Sequence, residues 1–532
     1  MATVPTEQRQ SSGAPALPPA GAQSPGAQSS GAPPVRRLWP IMLSLILALV
    51  PLQLDSLVAA TAAPTIAGDL GGFDRIAWIA TAYLLTMAIG TVLAGRLGDM
   101  FGRKRMLLLA TSVFLAGSLL AGISGGMTQF IVARAVQGLG AGMTFTTLLA
   151  VVADVVQSDR RGRYQGMLGA IAPFTMILGP WVGGVVTDQF GWRWIFFLNL
   201  PLVALSIVGA AVLLRLPAGS RGGRVDYAGL VAISAASTGI VLAVTWGGHQ
   251  YPWGSWQVLG AVALCLAAFA MLVVVERRAA HPIFPPDLFT NRSVLMSFVV
   301  MFFAMGAVMA SATNFLPLFL QLVQGRSASS SGLLLLPLLL PVIAISLLAG
   351  TWITTAARFR PVMIGGTAVL AAGCALLATM GPDTAAWLTA AYMILVGAGI
   401  GLLFQTPLVL VQNNAPSGEV GAATGAASFL RMIGSAIGVG ALGALFTRTI
   451  VTYLGDHAAT GTTGLNISSL TPGQLGQLPT SARTLVSSAV TSGNSALFWV
   501  AAAASVLALL AALALPRDQR LAAADTVTPA RS

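Results

Sequence analysis

The residues best able to do chemistry in this chain are one carboxylate and two arginines inside long apolar segments. Asp55 lies in the first of these segments, Arg134 in the fourth and Arg431 in one of the last. A charge in hydrocarbon costs about 3 kcal/mol even on a lenient scale, so each should face the protein interior and find a partner. A carboxylate beside a guanidinium in a cavity can change its proton occupancy with conformation and with nearby ligands. The alternative is an ion pair that only holds helices together.

Composition places these segments in a lipid bilayer. Of 532 residues, 56% are hydrophobic and only 8% are charged, which cannot cover a water-soluble surface. Two cysteines in apolar runs and three scattered histidines rule out a disulfide framework and predict no metal site and no cofactor. The net charge of +12 is spread between membrane-length segments, which predicts a positive-inside membrane protein and no nucleic-acid partner.

Apolar runs long enough to cross about 30 Å of hydrocarbon predict fourteen spans and an all-α fold. Their approximate limits are 38–62, 76–97, 106–125, 128–154, 164–188, 193–214, 227–247, 254–275, 294–322, 330–356, 361–380, 385–412, 420–448 and 494–515. Most arginines fall on one side of these spans, which predicts that both termini lie in the cytoplasm. A signal peptide cleaved near 60–62 is the alternative for the first span, although Pro51 and Asp55 interrupt its apolar core.

The spans group into two predicted halves. Gly95 precedes Arg103 by eight residues between spans 2 and 3, and Gly350 precedes Arg358 by the same distance between spans 10 and 11. This weak repeat is expected if two six-helix halves flank an inserted hairpin. The predicted units are a disordered cytoplasmic tail at 1–37, a six-helix bundle at 38–214, linkers with spans 7 and 8 at 215–293, a six-helix bundle at 294–515 with a long outside loop at 449–493, and a cytoplasmic tail at 516–532.

The helical rise sets the depths of the two central charges. Span 1 runs outward from about Leu38, which puts Asp55 roughly 25 Å along it, and span 4 runs inward from about Thr128, which puts Arg134 roughly 9 Å from its outer end. Both residues therefore fall in the outer half of the membrane. We predict that they are neighbours.

Three sequence features could suggest a nucleotide-binding or hydrolase site, but none has the structural context that such a site needs. Gly138, Gly140 and Gly142 lie in the middle of a span and not after a buried strand, so they predict helix packing and not a phosphate loop. Lys104 is the only lysine and is not part of a Walker motif, so uphill transport would draw on an ion gradient or a partner. The segment 122–126 fits G-x-S-x-G but lies in a turn between membrane helices. We predict no catalytic residues and no enzymatic activity.

The chain resembles the major facilitator superfamily, specifically its fourteen-helix drug:proton antiporters, over all fourteen spans. The segment Arg134 to Gly140 resembles the arginine motif of helix 4. The sequence LDSLVAATAAP from Leu54 keeps the Asp and Pro of the helix 1 pattern but lacks its Asn. The residues that match the loop signature between helices 2 and 3 are Gly95, Gly98, Asp99, Gly102, Arg103 and Lys104, and those that match the antiporter motif of helix 5 are Gly169, Gly179, Pro180, Gly183 and Gly184.

The resemblance implies two six-helix bundles that rock about a central cavity, with spans 7 and 8 peripheral. It implies proton-coupled efflux of amphipathic, cationic or aromatic drugs across the bacterial cytoplasmic membrane, with the bilayer, a small-molecule substrate and protons as partners. Asp55 would exchange the proton, Arg134 would set its occupancy, and the Asp99 loop would latch the outward-facing state. The cavity residues expected from depth and family position are Tyr83, Gln137, Phe145, Met176, Asn314, Gln321, Gln405 and Arg431.

Two other functions stay open at this point. One is a dedicated exporter or flippase of a single endogenous metabolite, antibiotic or lipid. The other is a transport-inactive receptor or scaffold, which the long outside loop would serve. Arg431, about 14 Å into span 13 by the helical rise, could bind an anionic group or pair with a main-chain carbonyl.

Overall fold

The computed structural model describes residues 35–71, 75–157, 160–214, 216, 227–247, 251–276, 278, 286–324, 335–356, 359–416, 419–457 and 480–516. Over these residues the chain is helical and carries no strand, only an isolated bridge between Gly247 and Tyr251. The predicted tails at 1–37 and 516–532 lie almost wholly outside the described residues, as does the middle of the predicted outside loop.

The chain from residue 35 to residue 276 forms eight long helices. They are α1 (Val35–Leu70), α2 (Ile76–Phe101), α3 (Arg103–Gly122), α4 (Met127–Val155), α5 (Arg161–Phe190), α6 (Arg193–Leu213), α7 (Tyr227–Trp246) and α8 (Trp256–Glu276). Gly102 has a φ of 93° and separates α2 from α3, because that conformation suits a residue without a side chain.

From residue 286 onward several helices are short, and one stretch is π-helical. It consists of α9 (Pro286–Thr290), α10 (Arg292–Val300), a π-helical segment (Met301–Val308), α11 (Met309–Leu322), α12 (Leu336–Ala356), α13 (Phe359–Ala378), α14 (Ala386–Leu403), α15 (Thr406–Asn414), α16 (Val420–His457) and α17 (Thr480–Leu513). The π-helical segment joins α10 to α11 without a break in the helix, and such segments often occur at functional sites.

Twelve helical segments among the described residues are long and apolar enough to cross a membrane. They coincide with twelve of the predicted spans. The two other predicted spans correspond to α5 and to α12, whose apolar part is the shorter run Leu336–Trp352. The chain is therefore an all-helical, multi-pass membrane protein.

The helices on either side of the predicted outside loop extend further than predicted. α16 continues to His457 and α17 begins at Thr480, so the predicted loop limits of 449 and 493 fall inside helices. The hydroxyls there find acceptors within their own helix, as Thr491 does by donating to the Ser487 carbonyl at 2.8 Å. In addition, Val486, Ala489 and Val490 are buried in the largest apolar cluster.

Burial within the bundle differs widely between helices. In α4, 78% of the most apolar stretch is buried inside the protein, against 22% in α8. The glycines of α4 make this possible, because a methyl group at Gly142 would lie 2.0 Å from the main-chain oxygen of Met87, and one at Gly140 would lie 2.2 Å from the nitrogen of Phe114. The packing interpretation of these glycines is confirmed, and α4 lies at the centre of the first half.

Candidate functional site

A fully buried polar cluster lies among α1, α3, α4 and α6. Arg134 forms an ion pair with Asp55 and donates to the side-chain oxygen of Gln137 at 2.7 Å. The other Asp55 oxygen accepts from Gln137 at 2.8 Å and from Asn199 at 3.1 Å. Both amides also donate to the hydroxyl of Ser118, at 2.9 and 3.1 Å. Each Asp55 oxygen is thus satisfied by side chains of neighbouring helices, as a charge in hydrocarbon requires.

Aromatic rings surround the guanidinium of this cluster. Its Cζ atom lies 4.2 Å from the centre of the Tyr83 ring and 5.9 Å from that of Phe196. Arg134 also donates from Nε to the Ile79 carbonyl at 3.4 Å. The ring face of Tyr83 is electron-rich and stabilises the cation on the side that carries no carboxylate.

The cluster is closed off from the central cavity. Asp55 and Arg134 are each only 1% exposed. Gln53 and Leu57, two residues to either side of Asp55, line the cavity. Two residues correspond to about 200° around an α-helix, so Asp55 points into the first half while its neighbours face the cavity. Any movement of α1 that reaches Asp55 therefore also moves the cavity wall.

The cavity has a volume of about 340 Å³ and is bounded by helices from both halves of the chain. Of the predicted cavity residues, Phe145, Met176, Asn314 and Arg431 line it. Its lining mixes apolar side chains with amides and hydroxyls, and five of the lining residues are methionines, namely Met87, Met176, Met305, Met309 and Met432. Thioether side chains adapt to irregular apolar shapes, which suits a ligand with a bulky apolar body.

Four predicted cavity residues do not line this space. Tyr83 and Gln137 belong to the buried polar cluster, because their helix faces turn toward Arg134 and not toward the second half. Gln405 lines an adjoining recess of about 80 Å³ with Gly169 and Phe404. The side chain of Gln321 lies outside the described residues.

Ser118 and Asn199 were not predicted to be members of this cluster. Asn199 is a single amide in the apolar run WIFFLNLPL, and an isolated polar residue inside a span is itself a signal for a buried partner. Ser118 carries no comparable signal, because serine is common at close helix contacts in membranes.

The loop between α2 and α3 ties the two halves together at one end of the bundle. Asp99 forms an ion pair with Arg103 and accepts from the main-chain nitrogens of Gly421 at 3.2 Å and Ala422 at 2.8 Å. These nitrogens open α16, where a carboxylate is stabilised by unpaired N–H groups and the helix dipole. Arg103 also pairs with Asp154 at 2.9 Å.

The glycines of the loop motif permit this close contact. A methyl group at Gly95 would lie 2.6 Å from the carbonyl oxygen of Gly421, and one at Gly98 would lie 3.0 Å from a guanidinium nitrogen of Arg103. Lys104 donates to the Ala211 carbonyl of α6 at 2.5 Å. The motif thus joins α2 to α16 through close backbone contact and through Asp99.

Helix α5 makes a second contact between the halves at the same end. Arg161 donates to Asn413 at 2.9 Å, and Gln165 donates to Gln412 at 2.5 Å. Farther along α5, a methyl group at Gly169 would lie 2.8 Å from the Phe404 ring.

The rest of the helix 5 motif lies nearer the other end of α5. A methyl group at Gly179 would lie 2.8 Å from the β-carbon of Leu57 on α1. Gly183 is buried. Pro180 and Gly184 belong to the same helix, and their surroundings lie outside what the structure describes.

The opposite end carries a separate, exposed ion pair. Asp69, beyond the membrane-spanning part of α1, accepts from Arg193 at 2.7 Å and from the Trp192 indole at 3.0 Å. The hydrogen bond from Arg193 and then that from Trp192 lower the pKa of Asp69 below its ordinary value. This pair connects the end of α1 with the start of α6.

A bundle of apolar helices around a sealed charge cluster and a cavity shared by its two halves is the architecture of a membrane carrier. The chain belongs to the Major Facilitator Superfamily, whose family model matches residues 43–439. It is 34% identical over 505 residues to an uncharacterized MFS-type transporter of Mycobacterium tuberculosis, covering 94% of this chain and 72% of that protein. It is 33% identical over 422 residues to the multidrug transporter protein MdtP of Bacillus subtilis, covering 78% of each.

The fold also resembles that of solved transporters. The proton:xylose symporter XylE aligns with a TM-score of 0.60 at 14% sequence identity, covering 89% of this chain and 95% of that one. At this identity the similarity concerns the fold alone. The chain is therefore a major facilitator transporter, a class of carriers that are typically not enzymes.

Proposed function

We propose that this protein is a fourteen-span, proton-coupled efflux antiporter for amphipathic small molecules. It resides in the bacterial cytoplasmic membrane with both termini in the cytoplasm. The twelve membrane-length helices, together with α5 and α12, support fourteen spans, with α7 and the poorly covered α8 as the peripheral hairpin. The Bacillus relative named a multidrug transporter supports efflux.

The sealed cluster around Asp55 is the observation that carries the proposal. The ionised carboxylate accepts hydrogen bonds from Arg134, Gln137 and Asn199. A proton on Asp55 removes the charge that balances Arg134, and a buried pair that loses one charge is destabilised by about 3–5 kcal/mol. The cluster must then rearrange, so protonation favours a different packing of α1 against α4.

The position of Asp55 on α1 links this rearrangement to the cargo. Gln53 and Leu57 line the cavity from the same turns of helix that carry Asp55 into the cluster. A shift of α1 on protonation therefore changes the shape of the cavity, and a bound cargo opposes or favours that shift. Reciprocal coupling of this kind is what antiport requires.

The contacts at the Asp99 end support a state that is closed on the cytoplasmic side. The bonds from Gly421 and Ala422 to Asp99, and that from Gln165 to Gln412, join the two halves there. Opening toward the cytoplasm must break them, so the motif loop acts as the latch of the outward-facing state. The cavity of about 340 Å³ is within the range of small-molecule sites.

The proposal is tested by transport in sealed proteoliposomes with an imposed pH gradient and a panel of amphipathic compounds. Asp55→Asn is expected to abolish gradient-driven uptake while cargo-for-cargo exchange persists, because only the first process needs the proton. Asp69→Asn is the matched control, since it removes an exposed carboxylate from the same helix. Intact proton-driven uptake in Asp55→Asn would disprove the coupling role.

The panel also separates the alternatives. Transport of several compounds supports multidrug efflux, and transport of one compound indicates a dedicated exporter. Binding without any flux indicates a receptor or scaffold.

A further inference from the structure

Arg431 is an arginine inside a membrane-spanning helix that forms no ion pair with any residue that the structure describes. It lies on α16 and lines the cavity. Its guanidinium lies over the Phe145 ring, whose centre is 5.1 Å from Cζ. Arg134, by contrast, has a carboxylate, an amide and a carbonyl around it. An arginine at this depth should have a comparable partner.

No acidic residue lines the cavity, so the lining offers Arg431 only neutral acceptors, among them the side-chain amides of Gln53 and Asn314. Arg431 is the one charged residue in the lining, which contains no Asp, Glu, His or Lys. Asp55 faces the other way and is occupied by Arg134. The hydroxyls of Thr175 and Thr313 donate to carbonyls of their own helices, at 2.8 Å and 3.0 Å.

The backbone that carries Arg431 is held firmly in place. α16 packs against the π-helical segment, where a methyl group at Gly306 would lie 2.6 Å from the carbonyl oxygen of Arg431. A methyl group at Gly434 would lie 2.3 Å from that of Phe302. The two helices thus touch at backbone distance, which fixes the position from which the Arg431 side chain reaches the cavity wall.

We propose that the cavity accepts amphipathic organic acids, and that Arg431 binds the carboxylate or sulfonate group of the cargo while Phe145 and the methionines enclose its apolar body. A guanidinium offers two parallel N–H donors to such a group, and it is less hydrated than an ammonium, which favours pairing in a dry site. The proposal rests on the assignment of this cavity as the cargo site. It replaces the cationic cargo expected from sequence, because a cation would meet Arg431 and no carboxylate.

The test is equilibrium binding to the purified full chain in nanodiscs, with three probes that share a naphthalene body and carry a carboxylate, a primary amide or an amine. Wild type is expected to bind the carboxylate at least about tenfold more tightly than the amide, and the amine more weakly still. Arg431→Gln should reduce carboxylate binding to the level of the amide, and Arg431→Lys should keep part of the preference. Arg448→Gln, an exposed change on the same helix, should leave all three affinities unaltered.

Several results would overturn the inference. The amine could bind as tightly as the carboxylate, or the preference for the carboxylate could survive in Arg431→Gln while that variant elutes as wild type from a sizing column. Equal binding of all three probes, together with chloride binding that Arg431→Gln removes, would assign Arg431 to an inorganic anion.

The measurement is independent of the proposed proton coupling, because no gradient is imposed. Gradient-driven export of the amine alone would uphold efflux and overturn the organic-acid site. Selective carboxylate binding without proton-driven transport would support the organic-acid site and overturn the proposed proton-coupled efflux.

Discussion

Removing one partner of the Arg134–Asp55 pair should damage the protein more than removing both. Arg134→Met leaves a carboxylate that is 1% exposed, with the amides of Gln137 and Asn199 as its remaining donors. Asp55→Asn leaves a buried guanidinium with neutral partners alone, namely the Tyr83 ring, Gln137, the Ile79 carbonyl and the new amide oxygen. The double variant Asp55→Asn/Arg134→Met leaves no charge in the cluster.

The magnitude follows from the depth and contact of the pair. Two unit charges about 4 Å apart attract by about 4 kcal/mol at an effective dielectric constant of 20. Loss of one partner of a buried pair costs about 3–5 kcal/mol, because the remaining charge is not solvated. Each single variant should therefore lose about 3–5 kcal/mol of unfolding free energy. The double variant should lose less than either single variant, so the coupling energy between the two positions should be at least as large as one single loss, about 3–5 kcal/mol.

The assay is unfolding in mixed micelles titrated with a denaturing detergent, followed by tryptophan fluorescence for wild type, both single variants and the double variant. The exposed pair of Asp69 with Arg193 provides a parallel cycle, and its coupling should be much smaller because water screens both charges. Losses at Asp55 and Arg134 that simply add, within about 0.5 kcal/mol, would refute the reasoning. The pair would then be no more than two independent polar contacts.

Three further predictions concern packing, the latch and pH. Gly142→Ala should cost about 1–3 kcal/mol because its methyl group meets a main-chain oxygen at 2.0 Å, whereas Gly260→Ala, with no atom within 4 Å, should be neutral in the same unfolding titration; equal effects would contradict the packing role. Asp99→Asn should speed hydrogen exchange in the first turns of α16, since the neutral amide binds those N–H groups more weakly; unchanged exchange would rule out the latch. The pKa of Asp69 is lowered in the folded protein, so its stabilising pair is fully present above the ordinary value of 3.8 and is lost as pH falls through the lowered pKa. Asp69→Asn should therefore weaken the protein at neutral pH and make little difference in strong acid, and a loss that persists there in the unfolding titration would contradict the assignment.

Much of the helix layout could be predicted because apolar length is a local property. A run of about twenty apolar residues costs too much to leave in water, whatever the rest of the chain does. The ends of α16 and α17 could not be predicted in this way. Their Ser- and Thr-rich turns look like a loop by composition, and they stay helical because Val486 and Val490 pack against distant helices.

The contents of the polar cluster were predictable only in part. The cost of burying charge pointed to Asp55 and Arg134, and their depths brought them to the same level of the membrane. Ser118 and Asn199 joined them, and Tyr83 moved from the predicted cavity into the cluster, because each residue turns a helix by about 100°. Depth can be counted along a sequence, but the direction a side chain faces depends on how its helix is rotated.

The sequence by itself determined that the chain is helical, lies in a membrane and carries one acid and two arginines inside its spans. Hydrophobic length and the cost of buried charge are sufficient for those conclusions. Only the tertiary structure decided that Asp55 turns away from the cavity while Gln53 and Leu57 line it, and that Arg431 faces the cavity without a carboxylate. The physical reason is that helix rotation is set by contacts between residues far apart in the chain, such as Gly306 with α16, which no local pattern contains.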